Sequence, residues 1–276
     1  MSEFSELAAA DAYCRMLAKR HYENFTVASR LMPSELRLDL ARVYAYCRFT
    51  DDLGDESDGA ARRRLERWRA EVVDLFMGGS PIHPVLVSLA QTVEKYELEA
   101  QPFLDLIEAN LEDQEVTSYE TWTTLHAYCM LSAAPVGRIV LRLFGLAEPE
   151  AQRLSDDVCV GLQVANFAQD VSRDTARGRR YLVGPEIEAG GIAGAVRAHC
   201  VRARMLLASG EELEKLARGA MRLQLTLYRM GGLAIIDAIE RAGFRTDQGR
   251  PRVSMARKAA LMLRAGGRHV RSVGAV

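Results

Sequence analysis

Apolar residues recur along most of this chain at intervals of three and four, and they seldom alternate with polar ones. That spacing marks amphipathic helices rather than strands, so an all-α protein is predicted. The helices fall at about Glu6–Met16, Ser34–Leu53, Gly59–Met77, Pro84–Tyr96, Ala100–Glu115, Trp122–Phe144, Glu148–Arg173, Ala189–Glu212 (interrupted at its glycines), Ala217–Ala242 and Val253–Leu263. Stop signals separate them: MGGSPIHP at 77–84, FGLAEPE at 144–150, RGRRYLVGPE at 177–186 and AGFRTDQGRP at 242–251. Ser34 and Thr121 stand where N-caps are needed. No Pro-, Ser- or Gly-rich linker and no repeat of fixed period divides the chain, so one domain over residues 1–276 is expected.

Two polar interruptions break the apolar pattern. In YCRFTDDLGDES, residues 46–57, a helix would carry Asp51 and Asp55 on one face, continued by Arg48 and Tyr44. Like charges four residues apart destabilise a helix by a few tenths of a kcal/mol, so they call for a counter-cation or for full solvation. The second interruption, VGLQVANFAQDVSRDTARGRRYL, sets Gln163, Asn166, Asp170 and Asp174 in a stripe, with Val160, Val164, Phe167, Ala168 and Val171 on the other side. Oxygen-only donors of this kind suit Mg²⁺, which keeps several waters and takes a few carboxylates together with substrate phosphates. Arg48, Arg177, Arg179 and Arg180 are candidates for the phosphate oxygens, because a guanidinium is a planar fork of donors.

Composition narrows the alternatives. Hydrophobic residues make up 49% of the 276, and 36 basic side chains nearly balance 37 acidic ones, so a folded chain with no field for nucleic acid is expected. Five scattered cysteines without a C-x-x-C pair suit reduced thiols and a cytoplasmic location. The acidic N-terminus has no basic-then-apolar signal, and the apolar run 125–147 is broken by His126, Arg138 and Arg142, so no spanning segment is expected. Nine Lys/Arg against one Asp from Arg241 to Val276 read either as a solvated face or as a peripheral contact with an anionic membrane. No His has a Glu three residues before it, and H-E-x-x-H, a P-loop and G-x-G-x-x-G are missing, which removes support for di-iron, zinc, nucleotide-triphosphate and Rossmann chemistry.

These residues resemble the squalene/phytoene synthase family, whose members carry two aspartate-rich motifs. DDLGD (51–55) is similar to the first and DVSRD (170–174), within QVANFAQDVSRD, to the second; HYENFTVASRLMP (21–33), YAYCRFTDD, YCMLSAAPVGRIV (128–140) and ARGRRYL (176–182) match further segments in the family's order. The resemblance implies a helical bundle of the isoprenoid synthase type with a central active-site cavity. It implies that Asp51, Asp55, Asp170 and Asp174 hold several Mg²⁺ ions with Asn166, that Gln163 and Asn166 support substrate or metal, that His21 and Arg48 meet the diphosphate, and that Tyr128 lies near the reacting carbons. Departures from the common pattern are Gln169 in place of Arg, Ser-Arg inside the second motif, and SAAPVGR in place of Val-Ala-Gly-x-Val-Gly.

Those features, together with HYENF (21–25) and the segment HPVLVSLAQTVEKYELEAQPFLDLIEANLEDQEVTSYE (83–120), resemble the bacterial hydroxysqualene synthase branch of a hopanoid-type squalene pathway. That branch works beside separate enzymes that make presqualene diphosphate and reduce hydroxysqualene. The implied reaction is Mg²⁺-assisted ionisation of presqualene diphosphate and capture of the cation by water, without NADPH. Coupling of two farnesyl diphosphates to presqualene diphosphate or squalene is the alternative within the same fold, and a non-catalytic helical membrane adaptor is the remote one.

Overall fold

The computed structural model describes residues 3–21, 32, 34–55 and 59–273, and side chains within those spans except 3–5, 20–21 and 267–273. The family-like segment 21–33, with the side chain of His21, therefore lies outside the described residues. In chain order the elements are α1 (Glu3–His21), α2 (Ser34–Asp55), α3 (Ala61–Phe76), α4 (Pro84–Tyr96), α5 (Gln101–Glu112), β1 (Ser118–Tyr119), α6 (Trp122–Ser132), α7 (Ala134–Leu143), α8 (Pro149–Ala176), β2 (Arg180–Val183), α9 (Gly184–Ala208), α10 (Gly210–Leu216), α11 (Gly219–Arg241) and α12 (Met255–Val273). The fold is all-α, as the periodicity predicts; β1 and β2 form only a short parallel pair, with Ser118 opposite Arg180.

Helix α4 shows how local chemistry sets both ends. Pro84 sits in its first turn, where a missing N–H is harmless, and His83 Nδ1 accepts from Val85 N–H at 3.3 Å. Glu97 then leaves the helix in the left-handed region at φ 49°. Thr121 caps α6 as predicted, its Oγ1 accepting from Thr124 N–H at 3.1 Å.

The predicted single helix Trp122–Phe144 is instead two, α6 and α7, parted at Ala133 (φ −123°, ψ −46°). Pro135 explains the break, since its ring has no N–H for the carbonyl of Leu131 and clashes with the preceding turn. Trp122–Leu143 is also the one described stretch long and apolar enough to cross a membrane by length and composition, with hydropathy 1.2; 44% of it is buried in the protein. In α9 the predicted interruption falls at Gly191, whose φ of 65° and ψ of −178° are open to glycine alone.

The described residues group into two compact units, Met1–Glu115 with Arg138–Ala147, and Val116–Gly137 with Glu148–Val276. The units interleave along the chain, so no linker composition marks them.

In the first unit a buried polar network joins α1, α2 and α4. Arg42, 7% exposed, donates to both carboxylate oxygens of Asp11 (3.0 and 3.1 Å) and to Asp39 at 3.1 Å. Asp39, 2% exposed, also accepts from Thr92 (3.0 Å), Lys95 (2.8 Å) and Tyr96 (2.9 Å). Burial opposes the charge on Asp39, but the hydrogen bonds from Lys95, Tyr96 and Thr92 outweigh it and hold the carboxyl below its ordinary value.

In the second unit α8 packs against both α9 and α11, and buried His199 on α9 places its ring nitrogens 3.0 Å from Ala195 O and 3.1 Å from Tyr181 O, tying β2 in place. Burial pushes the thiols of Cys129 and Cys200 up to about 12, so neither is a nucleophile at neutral pH.

Candidate active site

The first acidic motif ends α2. Asp39, Val43, Tyr46, Thr50 and Gly54 turn one face of that helix into the core. Tyr46 O–H donates to Phe103 O at 2.8 Å, and Trp68 Nε1–H donates to Thr50 Oγ1 at 3.0 Å, which fixes the rotation of the helix. With that face locked, Tyr44, Arg48, Asp51 and Asp55 share the adjacent stripe.

The glycine of DDLGD has its own reason. A Cβ at Gly54 would lie 2.4 Å from Asn110 Oδ1, so a larger residue there would push the Asn110 amide out of its present position. Gln114 Nε2 donates to Gly54 O at 3.1 Å, and Asn110 Nδ2 reaches Asp51 Oδ1 at 3.4 Å. Neither Asn110 nor Gln114 is singled out by sequence patterning, because both are ordinary polar residues whose role arises only from packing against Gly54.

Asp51 is open to water at its rim yet crowded by protein on most sides. That crowding pushes its carboxyl up to about 6; the charges of Asp55 and Asp52 act in the same sense, against the Asn110 hydrogen bond and the charge of Arg48. Arg48 itself forms an ion pair with Asp52, one turn further on. A carboxylate so disfavoured as an anion gains from any cation brought beside it.

The second motif lies on α8 in the other unit. Val160, Val164, Phe167, Ala168 and Val171 are buried as the pattern predicts, and Asn166, Gln163, Asp170 and Asp174 follow the more exposed side. Tyr128, 5% exposed, belongs to an aromatic cluster beside this stripe: its ring centroid is 5.6 Å from Tyr181, 6.2 Å from Phe167 and 5.5 Å from Tyr119. Phe167 and Tyr181 stack at 4.2 Å with ring planes 7° apart. Phe167 neighbours Asn166 in sequence, so the apolar wall and the oxygen donors share one stretch of helix.

Of the arginines after the motif, Arg177 caps α8 through its backbone N–H and Arg180 pairs with Glu120 at 3.3 Å. Arg179 N–H donates to Asp174 O at 2.9 Å, turning the chain towards β2.

Sequence patterning places Arg250 only within a basic tail; the structure leaves most described side chains of that segment exposed and gives several of its arginines acidic partners. Arg250 contacts Asp170 and Gln169, Arg257 pairs with Asp237 at 3.2 Å, and Arg245 with Asp247 at 3.4 Å.

The donor set fits Mg²⁺ as a partial shell. Asp170 Oδ1 is a carboxylate oxygen that draws cations, with Arg250 Nε against it and Arg173 at 3.8 Å. Among the described residues no three His, Cys, Asp or Glu side chains converge to hold a metal unaided. Pairs of hard oxygen donors, completed by water and phosphate, are what Mg²⁺ accepts.

Comparison with known structures first gives the class. The fold is that of the isoprenoid synthases: a dehydrosqualene synthase solved with a ligand superposes at TM-score 0.87 over 98% of this chain and all of that one, at 21% identity. The chain belongs to the squalene/phytoene synthase family, whose profile matches residues 18–257. It is 40% identical to squalene synthase HpnC from Alicyclobacillus acidocaldarius, with TM-score 0.81 over 87% of this chain and 96% of that one. It is 31% identical to the chloroplast phytoene synthase of Cucumis melo, across 92% of this chain and 66% of that protein. With phytoene synthase 3 of Zea mays it shares 29% identity and spans only 60% of that protein's length.

Proposed function

We propose that this enzyme converts presqualene diphosphate and water to hydroxysqualene and diphosphate in bacterial squalene and hopanoid synthesis. The observation that carries this reading is the 40% identity to squalene synthase HpnC over nearly the whole of both chains, in a protein with both acidic motifs intact.

Mg²⁺ held by Asp51, Asp55, Asn166, Asp170 and Asp174 would supply Lewis-acid stabilisation of the leaving diphosphate. Arg48, Arg177, Arg179 and His21 would bind and orient that diphosphate, with Gln163 beside them. The carbon–oxygen bond breaks with its electron pair leaving on diphosphate. Tyr128 and the neighbouring ring faces of Phe167 and Tyr181 then offer an apolar, electron-rich wall to the carbocation. Water adds its oxygen to that cation and loses a proton. No change of oxidation state occurs, so the reaction calls for no NADPH.

The relative's description as a squalene synthase favours a second reading, coupling of two farnesyl diphosphates to presqualene diphosphate or squalene. Purified protein with Mg²⁺ and no reductant, given each substrate separately, distinguishes the two. We expect presqualene diphosphate to be consumed with release of hydroxysqualene and farnesyl diphosphate to persist; consumption of farnesyl diphosphate overturns the first reading in favour of the second.

We also infer that α12 makes peripheral contact with an anionic membrane on the cytoplasmic side. Met255 (76% exposed) and Leu263 (78%) stand out from a helix in a segment with nine basic residues and one acidic one. The protein should sediment with vesicles containing anionic lipid and stay in solution with neutral vesicles or at high salt; equal partition on both vesicle types removes the proposal.

A further inference from the structure

The chain leaving α11 turns through two consecutive left-handed residues, Gly243 (φ 63°) and Phe244 (φ 61°), and then runs back along the second acidic motif before α12 begins. Three sets of contacts tie this strap to α8. Thr246 O accepts from Ser172 N–H at 3.3 Å, and Gln169 Nε2 donates to Pro251 O at 2.6 Å. Between them Arg250 Nη2 donates to Gln169 Oε1 at 3.0 Å and to Asp170 Oδ2 at 3.1 Å, and its Nε lies against Asp170 Oδ1. Arg173 lies farther from Asp170, at 3.8 Å.

We propose that Arg250 is a place-holding counter-ion: its guanidinium stands at Asp170 where a divalent ion would bind, and such an ion must displace it to reach the second motif. The inference rests on the reading that this motif takes a divalent cation. Two features favour displacement over a permanent structural bridge. The side chains of Arg250 and Asp170 are 32% and 21% exposed, which leaves the guanidinium a way out to water. Gln169, 4% exposed, anchors the strap through Pro251 O independently of Arg250, so Arg250 can swing away while the strap stays.

Gln169 is a positioning residue in this scheme. Its amide offers an oxygen to Arg250 and an N–H to Pro251 at once; an arginine there has no acceptor to offer and would repel Arg250.

The test is Mn²⁺ binding to the full chain without diphosphate, followed by the electron paramagnetic resonance signal of the free ion. Arg250→Gln should bind Mn²⁺ on the order of five- to ten-fold more tightly than wild type, because a like charge has left the site. Arg250→Lys, which keeps the charge, should stay nearer wild type. A gain in affinity is not what damage to a structural bridge produces; unchanged or weaker binding in Arg250→Gln overturns the proposal. Arg250→Met, which removes the same charge and keeps a long side chain, supplies the same comparison if Arg250→Gln does not fold, with tighter binding again expected and unchanged binding again decisive. Asp170→Asn separates the two layers of inference: if it leaves wild-type Mn²⁺ binding intact, the metal reading of the motif fails, whereas its loss with no effect of Arg250→Gln leaves that reading standing and removes only the place-holder.

Discussion

Asp51→Asn and Asp170→Asn each lower turnover on the order of a thousand-fold, while circular dichroism and the thermal midpoint show the fold retained. The substitutions keep the shape of the side chain and one oxygen, and remove the charge that a divalent ion requires. At Asp51 the fold should tolerate the loss well, because that carboxylate is disfavoured as an anion by crowding and by the charges of Asp55 and Asp52. Asparagine can still accept from Asn110. At Asp170 the variant loses the Arg250 pair, which is partly exposed and therefore worth little to stability. Steady-state rates on the substrate that proves active provide the measurement. If both variants keep more than about a tenth of the wild-type rate, against the hundred-fold or larger loss expected from removing transition-state charge stabilisation, the acidic motifs do not carry the reaction.

The largest effect on stability is expected far from those motifs. Asp39→Ala should cost about 3 kcal/mol, because it strips a buried carboxylate from Arg42, Thr92, Lys95 and Tyr96 together. Asp11 still faces Arg42, which keeps the loss from being larger. The pH dependence has a definite sign. The folded-state pKa of Asp39 is depressed, so its contribution is fully present above the ordinary carboxylate value of about 3.9 and is lost as pH falls through the lower folded value. Urea unfolding at neutral pH should therefore separate wild type from Asp39→Ala, and the gap should narrow in acid below about pH 4. A difference under about 1 kcal/mol at neutral pH, the size of a single ordinary hydrogen bond, would show that the network is not what joins α1, α2 and α4.

Much of this was legible along the chain because helices write their geometry locally. Pro84, His83 and Lys95 mark α4 at both ends, and the α8 stripe emerges from spacing alone, with its apolar complement buried as read. Where one residue overrides periodicity, the pattern misleads: the apolar spacing from Trp122 runs on through Pro135, which breaks the helix at Ala133. The basic segment after Arg241 misleads in another way, since a count of charges says nothing of their partners.

Arg250 is separated from Asp170 by 80 positions, and Asn110 from Asp51 by 59. Such pairs are set by which helix packs on which and by where a connecting strap is tied down, and neither is encoded in any window of a few turns. The sequence by itself determined that the acids share helix faces, because the 100° step of the backbone places residues three and four apart together whatever surrounds them. Only the tertiary structure decided which cation stands beside which acid, because a counter-ion is chosen by distance in space.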